Sequence, residues 1–371
     1  MAYLFFLSFI CLYYKALKFR DIKYSELLVF SIPVIFVWVL MVGGQYAVGT
    51  DYFSYIGYFN SQDTSYFDDR RDILFSFFIK FSHSIGAYGQ DLFFILSFIW
   101  IIVLLLITKN ILIDKKIKYI YLFFFVFITY STSFNNQMNG LRQYTSVYYI
   151  TLALVLLLKE NYRLSIPWFI CAVFTHFSSI TIAVLGCGLY FLLFVVKSYD
   201  KKENIRLLSL IVIGSIITSW LINNISYIEP LIYKLREAEM FDDYTVYYNN
   251  MTEMHSGFDK ITKYIYAPII LYAISKIKYM NLSYYENRLF IFGILSYSLK
   301  ILVTGIPFVS RLGAYFEVLM CIPIIYLLIY SLRTNKTTVF LFVLFYLILP
   351  YSMKVTYFAI NEYTYHSIFF K

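Results

Sequence analysis

Residues 91–108 read DLFFILSFIWIIVLLLIT, with Asp91 the only charge and neither proline nor glycine. A helix rises 1.5 Å per residue, so such a stretch covers about 27 Å, close to the roughly 30 Å hydrocarbon core of a bilayer. Working outward, further apolar segments lie at 2–16, 27–42, 117–133, 142–158, 165–175, 178–196, 206–223, 262–275, 288–304, 312–332 and 337–353. Of 371 residues, 60% are hydrophobic and 14% charged, against about 25% charged in an average soluble chain. The pattern predicts an all-α, polytopic transmembrane helix bundle of about twelve spans, ten to thirteen given the shorter segments. Pro/Gly-rich boundaries and long-range repeats are not evident, so 1–371 reads as a single integral membrane domain. The stretch near 73–85 carries Lys80 and His83 behind Arg70, Arg71 and Asp72, which fits a re-entrant or interfacial helix better than a span. Residues 2–14 are apolar with no basic residue ahead of them, so this start reads as a retained first span rather than a secretory signal.

The formal net charge is +9, which in a membrane chain is read through loop topology and not as a nucleic-acid patch. Loops at 15–26, 109–118, 159–163, 197–206, 276–288 and 333–336 hold 19 Lys and Arg against seven acids, while the remainder holds 12 basic and 15 acidic residues. By the positive-inside rule the first set faces the cytoplasm. Both termini are then extracytoplasmic, together with the long loops at 43–90 and 224–261. Cys11, Cys171, Cys187 and Cys321 sit in apolar stretches without a CxxC pair, so they read as packing residues. Asp68-Asp69 and Asp242-Asp243 are adjacent acids in loops, and neither a metal site nor a cofactor is expected.

With sides assigned, four polar clusters fall at the outer face: Gly49-Thr50-Asp51, Asn135 to Arg142, His176 to Ser179, and Arg311. Arg142 and Arg311 are each expected in the first turn of an inward-running helix. A cation is ordinarily unfavourable there, unless an anion such as phosphate completes the site; two guanidinium groups would hold a diphosphate by charge-assisted bonds. The bland alternative is that each snorkels to headgroups or pairs with an outer acid. His176, at the outer start of a helix, is expected neutral and able to accept a hydroxyl proton; otherwise it bonds Ser178 or Ser179. Asp51 is the rival base, a clamp for sugar hydroxyls or an arginine, or a helix cap. Tyr52, Gln143 and Tyr315 are candidate sugar-binding residues, and the acidic stretch 224–261 with Tyr244, Tyr247 and Tyr248 reads as a lid or a solvated loop.

These residues resemble the EpsG-like family of Wzy-type O-antigen and exopolysaccharide polymerases. The resemblance rests on Val48-Gly49-Thr50-Asp51-Tyr52 with Tyr55 and Phe59, Gly140-Leu141-Arg142-Gln143, Thr175-His176-Phe177-Ser178-Ser179, and Arg311-Leu312-Gly313-Ala314-Tyr315-Phe316. Such proteins often carry a Glu ahead of the next amphipathic helix; here the stretch is Arg71-Asp72-Ile73, leaving Asp72 without an assigned role. What the resemblance implies is metal-independent glycosyl transfer at the outer face of the bacterial inner membrane. Undecaprenyl-diphosphate-linked glycans would be donor and acceptor, with membrane lipid around them and a chain-length regulator and a flippase as partners. Arg142 and Arg311 would neutralise the leaving diphosphate, and His176 or Asp51 would take the proton. An O-antigen ligase, a lipid-linked oligosaccharide flippase and a membrane acyltransferase are the rival classes.

Overall fold

The computed structural model describes residues 1–17, 22–61, 63–191, 201–224, 264–303 and 311–369. Among them every regular element is helical, and a single antiparallel bridge, Gln45 with Ser367, is the sole β pairing. The N-terminal half runs α1 (Ala2–Leu17), α2 (Tyr24–Phe30), α3 (Ile32–Trp38), α4 (Tyr52–Asn60), α5 (Ser65–Asp69), α6 (Ile73–Ser84), α7 (Gln90–Ile111), α8 (Ile120–Thr129) and α9 (Ser133–Asn136). There follow α10 (Leu141–Leu158), α11 (Tyr162–Thr175), α12 (Ser179–Tyr190), α13 (Lys201–Asn224), α14 (Ala267–Lys276), α15 (Tyr284–Val303), α16 (Ile322–Arg333) and α17 (Thr337–Thr356).

Each apolar segment contains helix, but several are broken. Segment 27–42 divides into α2 and α3, bent by 61°, with Pro33 near the start of α3 lacking the N–H that would continue the first helix. Segment 312–332 opens as 3₁₀ turns, Arg311–Phe316 and Leu319–Cys321, before α16 begins at Ile322. Among the described residues four helices are long and apolar enough to cross a membrane, or five with the bent pair counted as one span. The expected lid at 224–261, with its tyrosines, lies outside the described residues except for Asn224.

Burial sorts the helices into layers. Within Leu141–Leu158, 83% of residues are buried, against 22% of Thr337–Thr356 and of Ile205–Ile222, so α10 is the axis and α13 and α17 are peripheral. The periphery exposes Leu341, Phe342, Phe345 and Leu349 on α17, and Leu210, Ile213, Ile217 and Trp220 on α13. Apolar stripes of this size require a non-aqueous neighbour, which makes the chain a membrane protein. Helix α6 has the same character: Ile73, Phe77 and Phe81, with Ile85 just beyond its end, are exposed at i, i+4 spacing, while Phe75, Ser76, Ile79 and Ser82 pack inward. Its 12 residues span only about 18 Å, too short to cross.

The stretch 43–90, expected as a loop with one helix near 73–85, holds that helix as α6 and two further short helices, α4 and α5. The two ends of the chain meet beside it. Tyr3 Oη donates to the Glu362 carbonyl at 2.7 Å, and Tyr46 N–H donates to the His366 carbonyl at 3.0 Å.

Candidate functional site

One cavity of about 610 Å³ collects residues from α4, the α5–α6 turn, the start of α10, the α11–α12 turn and the 3₁₀ segment at 311–316. Asp51, Arg142, Gln143, His176, Arg311 and Tyr315 all line it. On three of the lining residues, Asn136 Oδ1, His176 Nδ1 and Tyr315 Oη are themselves buried and make no hydrogen bond of normal geometry. Charged and hydroxyl-bearing side chains dominate the lining, so the cavity suits a polar occupant.

Its organising residue is Asp72, at 1% exposure. Asp72 sits at the N-cap position of α6, where an Asp ordinarily accepts from the first turn, yet it makes no such bond. The carboxylate turns the other way. Oδ2 pairs with Arg142 Nη1, Oδ1 accepts the Phe177 backbone N–H at 2.8 Å, and His176 Nδ1 lies 3.6 Å from Oδ1. Arg71 adopts φ +61°, an unusual left-handed conformation for a non-glycine residue, and places its guanidinium 5.3 Å over the Phe177 ring. That stack holds the 70–72 turn against the 176–178 turn.

Arg142 lies in the first turn of α10, as its position in the sequence requires, and it already has an acid. Its guanidinium also sits 5.6 Å over the rings of Tyr66 and Phe67, and its backbone N–H reaches Tyr55 Oη at 3.4 Å. The pairing alternative is therefore realised for Arg142, with Asp72 as the acid. Arg311 differs from expectation, because it opens a 3₁₀ segment. It is exposed, and Gln143 Nε2 donates to its carbonyl at 2.8 Å, bringing both arginines to one cavity. Gln143 thus fastens the 311 segment to α10.

His176 is not a helix start. It follows α11 in extended backbone, φ −149° and ψ 104°, donates its N–H to the Ala172 carbonyl at 3.0 Å, and accepts the Ser179 N–H at 2.9 Å. Burial pulls its pKa below the ordinary histidine value, with Arg142 and Arg311 adding to the fall and Asp72 opposing it. Of the two causes expected to lower it, a helix dipole and partial burial, burial is the one at work. Asp51 precedes α4 without capping it; its Oδ1 accepts from Thr50 Oγ1 at 3.1 Å, and its N–H donates to Asn139 Oδ1 at 2.8 Å. Gly49, at φ +77°, lies so close to Asn139 that a Cβ would fall 2.4 Å from Oδ1. The Gly-Thr-Asp motif is thus the shape needed to dock one loop on another. Tyr52 is 4% exposed, donates to Gln90 Oε1 at 2.8 Å and does not line the cavity, whereas Tyr55, Tyr58 and Tyr66 do.

A family model for the EpsG family matches residues 27–367. The chain belongs to the EpsG family. Searches of the curated proteins and of the solved structures return no significant match. Membership agrees with an apolar, all-helical membrane protein of polysaccharide assembly. In this EpsG-family chain the Arg71-Asp72-Ile73 stretch sets a buried carboxylate against Arg142 and 3.6 Å from His176.

Glu317 is the second residue that motif reading missed. It lines the same cavity at 3% exposure. Lys300 Nζ donates to Oε1 at 2.7 Å, Ser133 Oγ donates to Oε2 at 2.7 Å, and Thr132 Oγ1 also donates to Oε1. The signal was available: an acid inside an apolar segment is costly unless paired, and Lys300 is the matching cation in the preceding segment. Among the described residues no group of three or more His, Cys, Asp or Glu side chains is placed to share a metal ion.

Proposed function

We propose that this EpsG-family protein is a polysaccharide polymerase of the O-antigen or exopolysaccharide type. It joins undecaprenyl-diphosphate-linked repeat units at the outer face of the bacterial cytoplasmic membrane. The observation that carries the reading is the convergence of Asp51, Arg142, His176 and Arg311, from four separate parts of the sequence, on one polar cavity. The 19 basic residues in six loops, against 12 in all the rest of the chain, support a topology with both termini and this cavity extracytoplasmic, and the apolar segments support a span count near twelve.

In the reaction, neutral His176 accepts the proton of the acceptor hydroxyl. The oxygen attacks the anomeric carbon of the donor glycan, and the bond from that carbon to the diphosphate oxygen breaks with its electron pair leaving on the lipid diphosphate. Arg311, together with Arg142, stabilises the charge that develops there. Asp72 is a positioning residue: its carboxylate faces Nδ1 and steadies the imidazolium that forms, as second acids do for catalytic histidines.

The test is deletion of the coding sequence followed by gel analysis of surface glycan. A polymerase leaves glycan one repeat long. Complete loss of surface glycan indicates a flippase, and loss of transfer to a lipid A core with long polymer still made indicates a ligase; either result overturns the reading.

A further inference from the structure

A second cavity, of about 190 Å³, lies at the other end of the helix bundle from the first. Helix α15 connects the two ends. Lys300, near its C-terminus, pairs with Glu317 in the wall of the larger cavity, whereas Glu286, in its first turn, pairs with Lys116 in the wall of this one. The 20 residues of α15 cover about 30 Å.

Three loops close on this cavity: Lys116 comes from 109–118, Tyr279 to Leu282 from 276–288, and Arg333 with Thr334 from 333–336. Together they hold nine Lys and Arg against two acids, and all three are among the loops that the positive-inside rule places in the cytoplasm. Lys116 and Glu286 neutralise one another, and Glu286 also accepts the Ser283 N–H at 2.9 Å. That buried pair ties loop 109–118 to the start of α15 and leaves the wall there without net charge. Met280, Tyr326 and Ile329, all buried, form much of the remaining wall.

The rim is different, because Arg333, Asn281 and Thr334 are exposed and their polar groups can be reached. Among the described residues no acid pairs with Arg333. Carbonyls at a helix end often occupy such a cation, but those of α16 are taken: the Tyr330 carbonyl accepts the Thr334 N–H at 3.0 Å and the Ser331 carbonyl accepts the Lys336 N–H at 2.9 Å, as Asn335 turns through φ +54°. Lys336 Nζ brings a second cation to the rim, donating at 2.8 Å to Tyr330 Oη, whose residue lines the cavity. Leu282, half-buried, and Tyr279, 63% exposed, set apolar surface beside these groups, and exposed tyrosines mark the level of a membrane interface. Reachable cations next to apolar surface at that level match a phosphate carried on a lipid; a soluble phosphate would use the cations alone.

We propose that this cavity binds the headgroup of an anionic, hydroxyl-bearing phospholipid of the phosphatidylglycerol type. Arg333 and Lys336 neutralise its phosphate, and the Asn281 amide donates to a phosphate oxygen. The Thr334 hydroxyl, which gives its own proton to the Tyr330 carbonyl at 2.9 Å, accepts from a headgroup hydroxyl. The site requires that the chain span a membrane and is independent of the reaction assigned to the larger cavity.

The test titrates the full-length protein in detergent with short-chain phosphatidylglycerol and with phosphatidylcholine of the same chain length, counting bound lipid by native mass spectrometry. Wild type should prefer phosphatidylglycerol by about fivefold or more. Arg333→Gln and, separately, Lys336→Gln should each lose about three- to fivefold of that affinity, the weight of one charge near a membrane surface, with melting temperature unchanged. Arg163→Gln removes an exposed cation from another basic loop and should change it by less than about twofold. Glycerol 3-phosphate, which has the phosphate without the acyl chains, should not compete at equal concentration. No preference in wild type, or losses in Arg163→Gln equal to those in the rim variants, identifies diffuse surface charge and overturns the site. Competition by glycerol 3-phosphate at equal concentration identifies a soluble anion as the occupant and overturns the lipid assignment.

Discussion

Replacing Asp72 by Asn removes the negative charge on which the site is organised while preserving the shape of the side chain. Asp72 is 1% exposed and the Arg142 side chain 12%, so solvent screens the pair little. The amide oxygen can still accept the Phe177 N–H, now at 2.8 Å. What is lost is the charge-assisted bond to Arg142 and the electrostatic hold on His176. A bond of that kind contributes about 1.5–3 kcal/mol, so transfer should slow roughly 10- to 150-fold. Stability should fall as well, because stripping one partner from a buried pair costs about 3–5 kcal/mol. The lower end applies, since the Arg142 guanidinium keeps the Tyr66 and Phe67 rings and borders an open cavity.

The pH profile separates positioning from mere folding. Asp72 opposes the fall in the His176 pKa, so its loss stabilises the neutral ring further. The acid limb of the rate, where His176 becomes protonated, should then move to lower pH in Asp72→Asn and return in Asp72→Glu. The assay is chain length against time in proteoliposomes supplied with lipid-linked repeat units, with thermal melting in detergent as the fold control. A folded Asp72→Asn enzyme with a rate within twofold of wild type and an unmoved limb would refute the role given to Asp72.

For wild type the acid limb itself should lie below the ordinary histidine value of about 6.5, because burial lowers the pKa. His176→Ala should lose about a hundred- to ten-thousandfold in rate with donor binding intact, and retention of more than about a tenth of the rate would move the assignment to Asp51 or to no enzymic base at all. Arg311→Lys keeps the charge but not the planar fork; a transition-state contact of about 2–4 kcal/mol makes the expected loss roughly 30- to 900-fold, and wild-type chain lengths would exclude the contact. Gly49→Ala should destabilise by about 1–3 kcal/mol, since φ is +77° and the new Cβ would meet Asn139 at 2.4 Å; an unchanged melting curve would mean the loop does not dock as described.

The sequence alone determines the helical, membrane-bound class, because runs such as 91–108 satisfy their backbone polar groups only as helices in lipid. It also marks Asp51, Arg142, His176 and Arg311, since each is a polar interruption at the edge of an apolar segment. What it does not determine is which charges meet. Asp72 lies 70 residues from Arg142 and 105 from Phe177, and its N-cap position points to a local role that the fold overrides. Tyr52 fits an aromatic sugar platform by its place in the motif, yet helix phase turns it onto Gln90 and gives the cavity Tyr55 and Tyr58 instead. Segment 312–332 is apolar enough to read as one helix, but the 3₁₀ turns at its start set Tyr315 and Glu317 into the cavity wall. Hydropathy is a property of single segments and survives in any context. The pairing of a buried carboxylate with a distant cation is set by which helix ends the packed bundle brings together, and tertiary structure alone decides that.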